Sequence, residues 1–200
     1  MLDVFESLNF LKLNGLPVVK SLVVKSVGAL KSACECFGYP LVLKVNSSGH
    51  KSDSGGVVIS IYSYVGALKA FKQLKKYSSE LVVQPQVSGL ELSLGLKVDP
   101  VFGQVIMFGL GGVLIELLND VSFRVCPVNK KEAKLMINEL KSSKLLKGYR
   151  GQPKISLELL CDLIVKLSHL AVKDNIKVLD INPLIASADK LLIVDARLSL

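Results

Sequence analysis

The sequence has no tryptophan, only two histidines, and no apolar stretch near the roughly 20 residues that a membrane-spanning helix requires. Half of its 200 residues are nevertheless hydrophobic. We expect these residues in the buried strands and helices of one compact unit, with at most two lobes. The first residues, Met1 to Glu6, carry acid rather than base and show no signal-peptide pattern. We therefore expect a cytoplasmic protein with no membrane partner.

Cysteines are few and scattered. The four thiols lie within helical or strand patterns and lack the paired spacings of a disulfide framework or a zinc site. Structural burial is therefore the expected role of Cys34, Cys36, Cys126 and Cys161.

Basic residues outnumber acidic ones, and the net charge is +8. The lysines are spread along the predicted helices, and only Lys72, Lys75 and Lys76 form a tight group without interleaved aromatic residues. The charge is better assigned to solvated helix faces, or to attraction of nucleotide phosphates and acyl-CoA anions, than to nucleic acid. A basic RNA-associated protein stays open as an alternative. Nucleic-acid binding that survives physiological salt would distinguish it.

Helix and strand patterns alternate along the chain without internal repeats, which favours an α+β fold with antiparallel strand connections. A Gly38-Tyr39-Pro40 stop ends the second helix, and an Asp99-Pro100 turn joins a hairpin. The predicted helices cover residues 3–13, 27–37, about 63–77, 130–141 and 156–172. The predicted strands cover residues 17–24, 41–45, 57–61, 81–85, 91–98, 103–108, 178–186 and 190–196.

One histidine, His50, lies in a loop of small residues between two predicted strands, within Gly49-His50-Lys51-Ser52-Asp53-Ser54-Gly55-Gly56-Val57. The glycines allow the backbone to turn and to approach a ligand closely. A neutral imidazole is a competent nucleophile near pH 7, and its phosphoramidate can pass a phosphoryl group to another acceptor. The loop therefore favours phosphoryl transfer. The alternative is a solvated surface loop without a chemical role.

A second group of polar residues occurs in the last strand pair. Alternation places Asp180 and Asn182 on one strand face, and a turn near residues 187–189 brings Asp195 close to Asn182. Such oxygen ligands suit Mg²⁺, which takes few protein ligands and completes its octahedron with phosphate oxygens and water. The alternative is a pair of polar strand ends, but polar groups in so apolar a hairpin need partners.

A third signal is the glycine-rich segment Met107-Phe108-Gly109-Leu110-Gly111-Gly112-Val113, followed by Glu116, Asp120 and Arg124. It does not fit the dinucleotide-binding fingerprint, because no clear helix N-terminus follows it. A tight turn with close backbone packing is one interpretation. Beside a cationic loop and a carboxylate cluster, it also supplies a part needed to hold a nucleoside triphosphate with magnesium.

Taken together, these motifs resemble the ATP-grasp (beta) subunit of ADP-forming acyl-CoA synthetases, the acetate:CoA ligases, over nearly the whole chain. Succinyl-CoA synthetase beta subunits share the lysine strand and the closing Asn and Asp, but are less similar around His50. The segments that carry the resemblance are Gly38-Tyr39-Pro40-Leu41-Val42-Leu43-Lys44, His50 to Val57, Phe108 to Gly112, Asp120-Val121-Ser122-Phe123-Arg124 with Pro127, Leu146-Lys147-Gly148-Tyr149-Arg150-Gly151, Leu179-Asp180-Ile181-Asn182-Pro183, and Asp195-Ala196-Arg197.

The resemblance implies an α+β ATP-grasp fold, in which two lobes clamp a nucleotide between antiparallel sheets. The first lobe would hold about residues 21–86 and the second about residues 87–200, with residues 1–20 packing on the second. Lys44 matches the lysine that reaches the nucleotide phosphates, a role that its charge suits.

By the same resemblance, the strand around Gln84 forms the hinge against adenine. The carbonyl of Pro85 and the amide of Val87 would contact the adenine edge, Gln84 would assist, and Glu91 would bind the ribose hydroxyls. Many relatives carry Glu where this chain has Pro85. Proline keeps its carbonyl but lacks N–H, so the hinge must use the Val87 amide.

The family's reaction is divided between polypeptides. A partner alpha subunit binds CoA, forms the acyl phosphate and takes the phosphoryl group on its own histidine, and the residue matching His50 carries it to ADP. Mg²⁺ held by Asn182 and Asp195, with Asp180 near, would neutralise phosphate charge, and Arg124 is a candidate contact for the moving phosphoryl group. We expect a hetero-oligomer such as α2β2. A noncatalytic nucleotide-sensing module and a succinyl-CoA synthetase-like beta subunit are the alternatives.

Overall fold

The computed structural model describes residues 1–48, 55–111, 120–148 and 154–200. The chain divides into two compact units. The N-terminal unit contains Leu2–Asn9 and Val19–Val87, and the C-terminal unit contains Met1, Phe10–Val18 and Ser88–Leu200. No helix within the described ranges is long and apolar enough to cross a membrane.

Helices and strands alternate in the described chain. The helices are α1 (Val4–Leu13), α2 (Val27–Phe37), α3 (Tyr64–Leu74), α4 (Lys130–Glu139), the short α5 (Ser143–Leu146) and α6 (Leu157–Lys173). The strands are β1 (Leu22–Val24), β2 (Leu41–Val45), β3 (Val57–Ile61), β4 (Leu81–Pro85), β5 (Leu90–Asp99), β6 (Gly103–Leu110), β7 (Val121–Val125), β8 (Val178–Ala186), β9 (Leu191–Ile193) and β10 (Arg197–Ser199).

The N-terminal unit is a four-stranded antiparallel sheet in the order β1-β4-β2-β3, packed against α2 and α3. Ser26 and Ser63 cap the two helices, because each hydroxyl accepts a hydrogen bond from a backbone amide three residues later. Gly38 ends α2 with φ of 69°, a left-handed conformation that glycine adopts without strain. Alternate residues of the central strands, such as Leu43 and Val83, enter the core beneath these helices.

The C-terminal unit is a six-stranded antiparallel sheet in the order β10-β8-β5-β6-β7, and β9 also pairs with β8. Helices α4 and α6 contact β5, β6 and β7. The fully buried side chains of Leu94, Ile106, Phe108 and Ile181 lie on the helix-covered face. The residues between them in sequence therefore lie on the opposite face, which we call the open face.

Most predicted elements occur near their predicted positions. The hairpin of β5 and β6 turns at Asp99, whose carboxylate accepts hydrogen bonds from the amides of Val101 (2.9 Å) and Phe102 (3.0 Å). The strand predicted over residues 190–196 is wrong in extent, because β9 ends at Ile193 and a separate strand begins at Arg197. The sequence analysis also did not predict β7 or β10.

All four cysteines are free thiols. The expected burial is correct for Cys34 and Cys161 and wrong for Cys36, which is exposed. Cys126 is half-buried, and burial raises its pKa to about 11.

Candidate functional site

Lys44 and Gln84 lie on the same face of the N-terminal sheet. In the register of β2 and β4, Lys44 is opposite Val82 and Gln84 is opposite Val42. Helices α2 and α3 cover the other face, where Leu43 packs. Both polar side chains are nevertheless buried, with 5% of Lys44 and 2% of Gln84 exposed.

Burial gives these two side chains a chemical role. The Nε2 atom of Gln84 donates a hydrogen bond to the Ser21 hydroxyl at 3.0 Å. A buried ammonium group needs oxygen partners, and phosphate oxygens are among the partners that a lysine binds in proteins. The strand geometry thus brings together two residues predicted to contact a nucleotide.

The segment after Gln84 is fixed by hydrogen bonds to its neighbours. The Gln86 amide donates to the Pro40 carbonyl at 2.9 Å, and the Gln86 side chain accepts from the Ser60 amide at 2.7 Å. Pro85 ends β4, and Val87 is the last residue of the N-terminal unit. The predicted hinge residues therefore stand where the chain passes from one unit to the next.

The predicted phosphoryl carrier His50 and its neighbour Lys51 lie outside the described residues. The two strands that flank their loop are in place. The last residue of β2 that pairs with β3 is Lys44, opposite Val57, and Val45 still pairs with Leu81 of β4.

The open face of the C-terminal sheet carries the remaining predicted ligands. Glu91 is exposed at the start of β5, and Asp180 and Asn182 occupy alternate positions of β8. The same face bears a cavity of about 550 Å³, whose lining includes Gly95, Met107 and Asp180. A concave, largely apolar surface of this volume is typical of small-ligand sites.

Asn182 and Asp195 face each other across two strands. Leu184 pairs with Ile193 in β9, and Asp180 pairs with Arg197 in β10. The pairing of β8 with β9 and the pairing of β8 with β10 have the same register. Extending either pairing towards the other therefore places Asn182 opposite Asp195. The hydrogen bond from the Val194 amide to the Pro183 carbonyl, 3.3 Å long, continues the register between them.

This donor set fits magnesium. One amide and two carboxylates offer hard oxygen ligands, and Mg²⁺ is commonly held by one or two carboxylates together with phosphate and water. No group of three or more His, Cys, Asp or Glu side chains suited to a metal occurs among the residues that the structure describes.

Arg124 is not brought together with these ligands. Cross-strand pairing with Ile106 places it on the helix-covered face, whereas Asp180 lies on the open face. Its guanidinium group forms an ion pair with Glu139 of α4, and this hydrogen bond holds the pKa of Glu139 below its ordinary value. The structure thus gives Arg124 the role of joining β7 to α4.

Asp120, which the resemblance also singles out, is a buried anchor. Its carboxylate accepts hydrogen bonds from the amides of Lys141 (2.9 Å) and Ser142 (2.7 Å), in the turn after α4. Burial raises the pKa of Asp120, but the hydrogen bonds from Ser142 and Lys141 outweigh burial, and the pKa lies below its ordinary value. The charged form therefore stabilises this turn.

Two glycines of the glycine-rich segment allow close backbone contact. A Cβ atom on Gly109 would lie 2.9 Å from the Asp120 carbonyl oxygen, and one on Gly111 would lie 2.7 Å from the Leu92 carbonyl oxygen. The Gly111 amide also donates to the Glu91 carbonyl at 2.8 Å. The packing interpretation is therefore correct for these two positions, and Gly112 lies outside the described residues.

Sequence reasoning did not assign a role to Arg197. Strand β10, which the sequence analysis did not predict, places it opposite Asp180, on the open face with the predicted magnesium ligands. Alternation from Asp195 would have indicated the same face. The signal was weak because β10 has only three residues.

Comparison with known proteins gives two kinds of match. A family model described as an ATP-grasp domain matches residues 1–200. The beta subunit of ADP-forming acetate–CoA ligase I from Pyrococcus furiosus is 40% identical over 209 residues, 98% of this chain and 90% of that protein. The ADP-forming 4-hydroxybutyrate–CoA ligase of Nitrosopumilus maritimus is 40% identical over 194 residues, 90% of this chain but 28% of that protein.

Solved structures of dinucleotide-forming acetyl-coenzyme A synthetase 1 from Ca. Korarchaeum cryptofilum are also similar. The complex with coenzyme A, Ca-AMPCP and HgCl+ has a TM-score of 0.93 at 35% identity, and the match covers 100% of this chain and 93% of that chain. The complex with coenzyme A and Mg-AMPPCP has a TM-score of 0.85 at 37% identity, covering 98% and 91%. The second is described with a phosphohistidine segment pointing towards the nucleotide binding site.

Proposed function

The chain belongs to the ATP-grasp domain family, and on that premise we propose that it is the nucleotide-binding beta subunit of an ADP-forming acyl-CoA ligase. The reaction of the whole enzyme is acyl-CoA + ADP + phosphate = carboxylic acid + CoA + ATP. The observation that carries the proposal is 40% identity along 98% of the chain to a beta subunit of this activity. Lys44, Asn182 and Asp195, at the predicted ligand positions, support it.

A separate alpha subunit supplies the rest of the enzyme. The chain spans 90% of the Pyrococcus furiosus beta subunit but only 28% of the 4-hydroxybutyrate–CoA ligase. The longer polypeptide therefore contains a large region with no counterpart here. In our proposal that region corresponds to a partner that binds CoA and forms the acyl phosphate, in a hetero-oligomer such as α2β2 located in the cytoplasm.

The nucleotide contacts follow the residues that the sequence analysis predicted. Lys44 contacts its phosphates, Gln84 and the backbone of Pro85 and Val87 contact adenine, and Glu91 binds the ribose hydroxyls. The burial of Lys44 and Gln84 and the exposure of Glu91 support this assignment, because a buried cation suits phosphate and an exposed carboxylate suits hydroxyl groups.

Asn182 and Asp195 hold magnesium, with Asp180 beside them. The ion, when bound, supplies positive charge to the phosphates being joined. The residues themselves orient those phosphates, because the register of β8 with β9 and with β10 places Asn182 opposite Asp195. Solved relatives with Ca-AMPCP and Mg-AMPPCP support a divalent cation beside the nucleotide.

His50 carries the phosphoryl group between the partner and ADP. A ring nitrogen attacks the incoming phosphorus and forms an N–P bond as the donor bond breaks. The terminal oxygen of ADP then attacks the same phosphorus, forms ATP and releases the imidazole. The phosphohistidine segment described for the Korarchaeum enzyme supports a histidine relay in this family.

Reconstitution tests the proposal. The isolated chain should bind Mg·ADP and Mg·ATP by calorimetry but should not cleave acyl-CoA. Coexpression with a candidate alpha subunit should restore ADP-dependent CoA release. Acyl-CoA cleavage by the purified chain alone would contradict the divided enzyme. If the chain binds nucleotide but shows no activity when it is coexpressed with alpha subunits, a noncatalytic module is favoured.

A further inference from the structure

Arg197 has a buried donor atom on the open face of the C-terminal sheet. The residue begins β10 and pairs with Asp180 of β8. Its side chain is half-buried, and Nη1 is a buried atom with no hydrogen-bond partner among the described residues. Among the described residues, Gln104, Ser122 and Ser142 also have one such atom each.

An unsatisfied guanidinium donor is costly to keep. Arginine stays protonated in proteins and carries five N–H donors in a planar fork, so burial of Nη1 removes water from a charged group. Asp180 is the residue directly opposite Arg197 in the strand pair. Side chains of directly opposite residues are close enough to interact. Among the described residues Nη1 has no acceptor even so, and the donor is therefore available to an acceptor on a ligand.

The position of Arg197 identifies that ligand chemically. Alternation places it on the same face as Asp195, and the pair of Arg197 and Asp180 is two residues along from the pair of Asn182 and Asp195. These are the residues that would hold magnesium beside the phosphates in the proposed function. A planar guanidinium fork matches phosphate oxygens, which accept charge-assisted hydrogen bonds.

We propose that Arg197 contacts the terminal phosphate of the bound nucleotide, the β-phosphate of ADP. The inference rests on the proposed nucleotide-binding function and adds a cation to its phosphate site. Arg197 then takes the role in phosphate binding that the sequence analysis gave to Arg124. The Arg124 guanidinium forms an ion pair with Glu139 on the other face of the sheet.

Calorimetry with ADP and AMP in the presence of EDTA tests this contact without the metal. The wild-type chain should bind ADP more tightly than AMP, because AMP lacks the β-phosphate. Arg197→Met should weaken ADP binding about tenfold or more, the usual scale for loss of a charge-assisted hydrogen bond, while AMP affinity changes little. Lys134→Met, on the exposed side of α4, removes the same charge and should leave both affinities unchanged.

A second variant separates phosphate binding from folding. Arg197→Lys keeps the charge but loses the planar fork, so its preference for ADP over AMP should fall between those of the wild type and Arg197→Met. Equal ADP-to-AMP preference in all three chains would overturn the contact, even if their melting temperatures differ. Failure of the wild-type chain to bind ADP at all would instead overturn the proposed function.

Discussion

Replacement of Gly111 by alanine probes the close packing of the glycine-rich segment. Gly111 does not have a left-handed φ, so alanine meets no backbone strain there. Space is the difficulty. The new Cβ would lie 2.7 Å from the carbonyl oxygen, 2.8 Å from the carbonyl carbon and 2.9 Å from the nitrogen of Leu92. All three are backbone atoms of β5, so the strand itself must move.

The expected loss of stability follows from two opposing effects. Overpacking of a tightly packed region costs about 1–3 kcal/mol. Loss of glycine flexibility in the unfolded chain returns about 0.4–1 kcal/mol. We therefore expect Gly111→Ala to lower the free energy of unfolding by about 1–2 kcal/mol, and each kcal/mol lowers Tm by about 2–4 °C for a chain of this length.

Urea unfolding and calorimetric melting measure this change, and Gly28→Ala is the matched control. Gly28 lies in α2, where a Cβ would meet only the Ser26 hydroxyl at 3.9 Å, so alanine should stabilise the chain. Since Gly111 also bonds the Glu91 carbonyl, its variant should weaken ADP binding as β5 shifts. A Gly111→Ala chain at least as stable as the wild type would refute the packing argument.

Two further predictions concern oxygen ligands. Asn182→Ala and Asp195→Ala should each weaken nucleotide binding in the presence of magnesium but not in EDTA, while the fold persists. If calorimetry gives both variants the wild-type affinity for Mg·ATP, the metal ligands are misassigned. Asp120 has a lowered pKa, so the stability that it contributes is present above its unfolded pKa and is lost as pH falls through its folded pKa. The Asp120→Asn variant should therefore unfold at a lower urea concentration than the wild type at neutral pH, and should lose less stability on acidification. Urea midpoints of the two chains that fall in parallel from pH 7 to pH 3 would contradict this.

Local sequence signals predicted much of the fold because local chemistry decides it. Ser26 and Gly38 bound α2 at its predicted ends, and Asp99 caps the predicted hairpin. The α+β, ATP-grasp fold class is confirmed by the family match and the similar structures. Strand β10 was missed, because its three residues carry no readable period and its pairing depends on the distant strand β8.

The site shows the same division. Alternation was enough to predict that Asn182 and Asp195 approach each other, since a short turn joins β8 to β9 and the register continues past β9 to Asp195. It could not predict that Arg124 faces α4, because the face of β7 is set by its pairing with β6 and by Glu139, fifteen residues later. Nor could it distinguish packing glycines from ligand-binding glycines, because the neighbour of Gly111 is Leu92 in another strand.

Phosphorylation of His50 tests the central claim most directly. Incubation of the chain with Mg·ATP labelled at the γ-phosphate should leave an acid-labile, base-stable phosphate on the protein, the opposite stability to a serine or threonine ester. His50→Asn keeps a hydrogen-bonding side chain of similar size but removes the nucleophilic nitrogen. His169→Asn, exposed on α6, is the matched control.

The account predicts that His50→Asn loses the label and, with its alpha subunit, loses ATP synthesis, while its affinity for ADP stays near that of the wild type. His169→Asn should keep the label, the activity and the affinity. If the label persists in His50→Asn, or if the reconstituted variant still makes ATP at the wild-type rate, His50 is not the phosphoryl carrier and the divided relay is wrong.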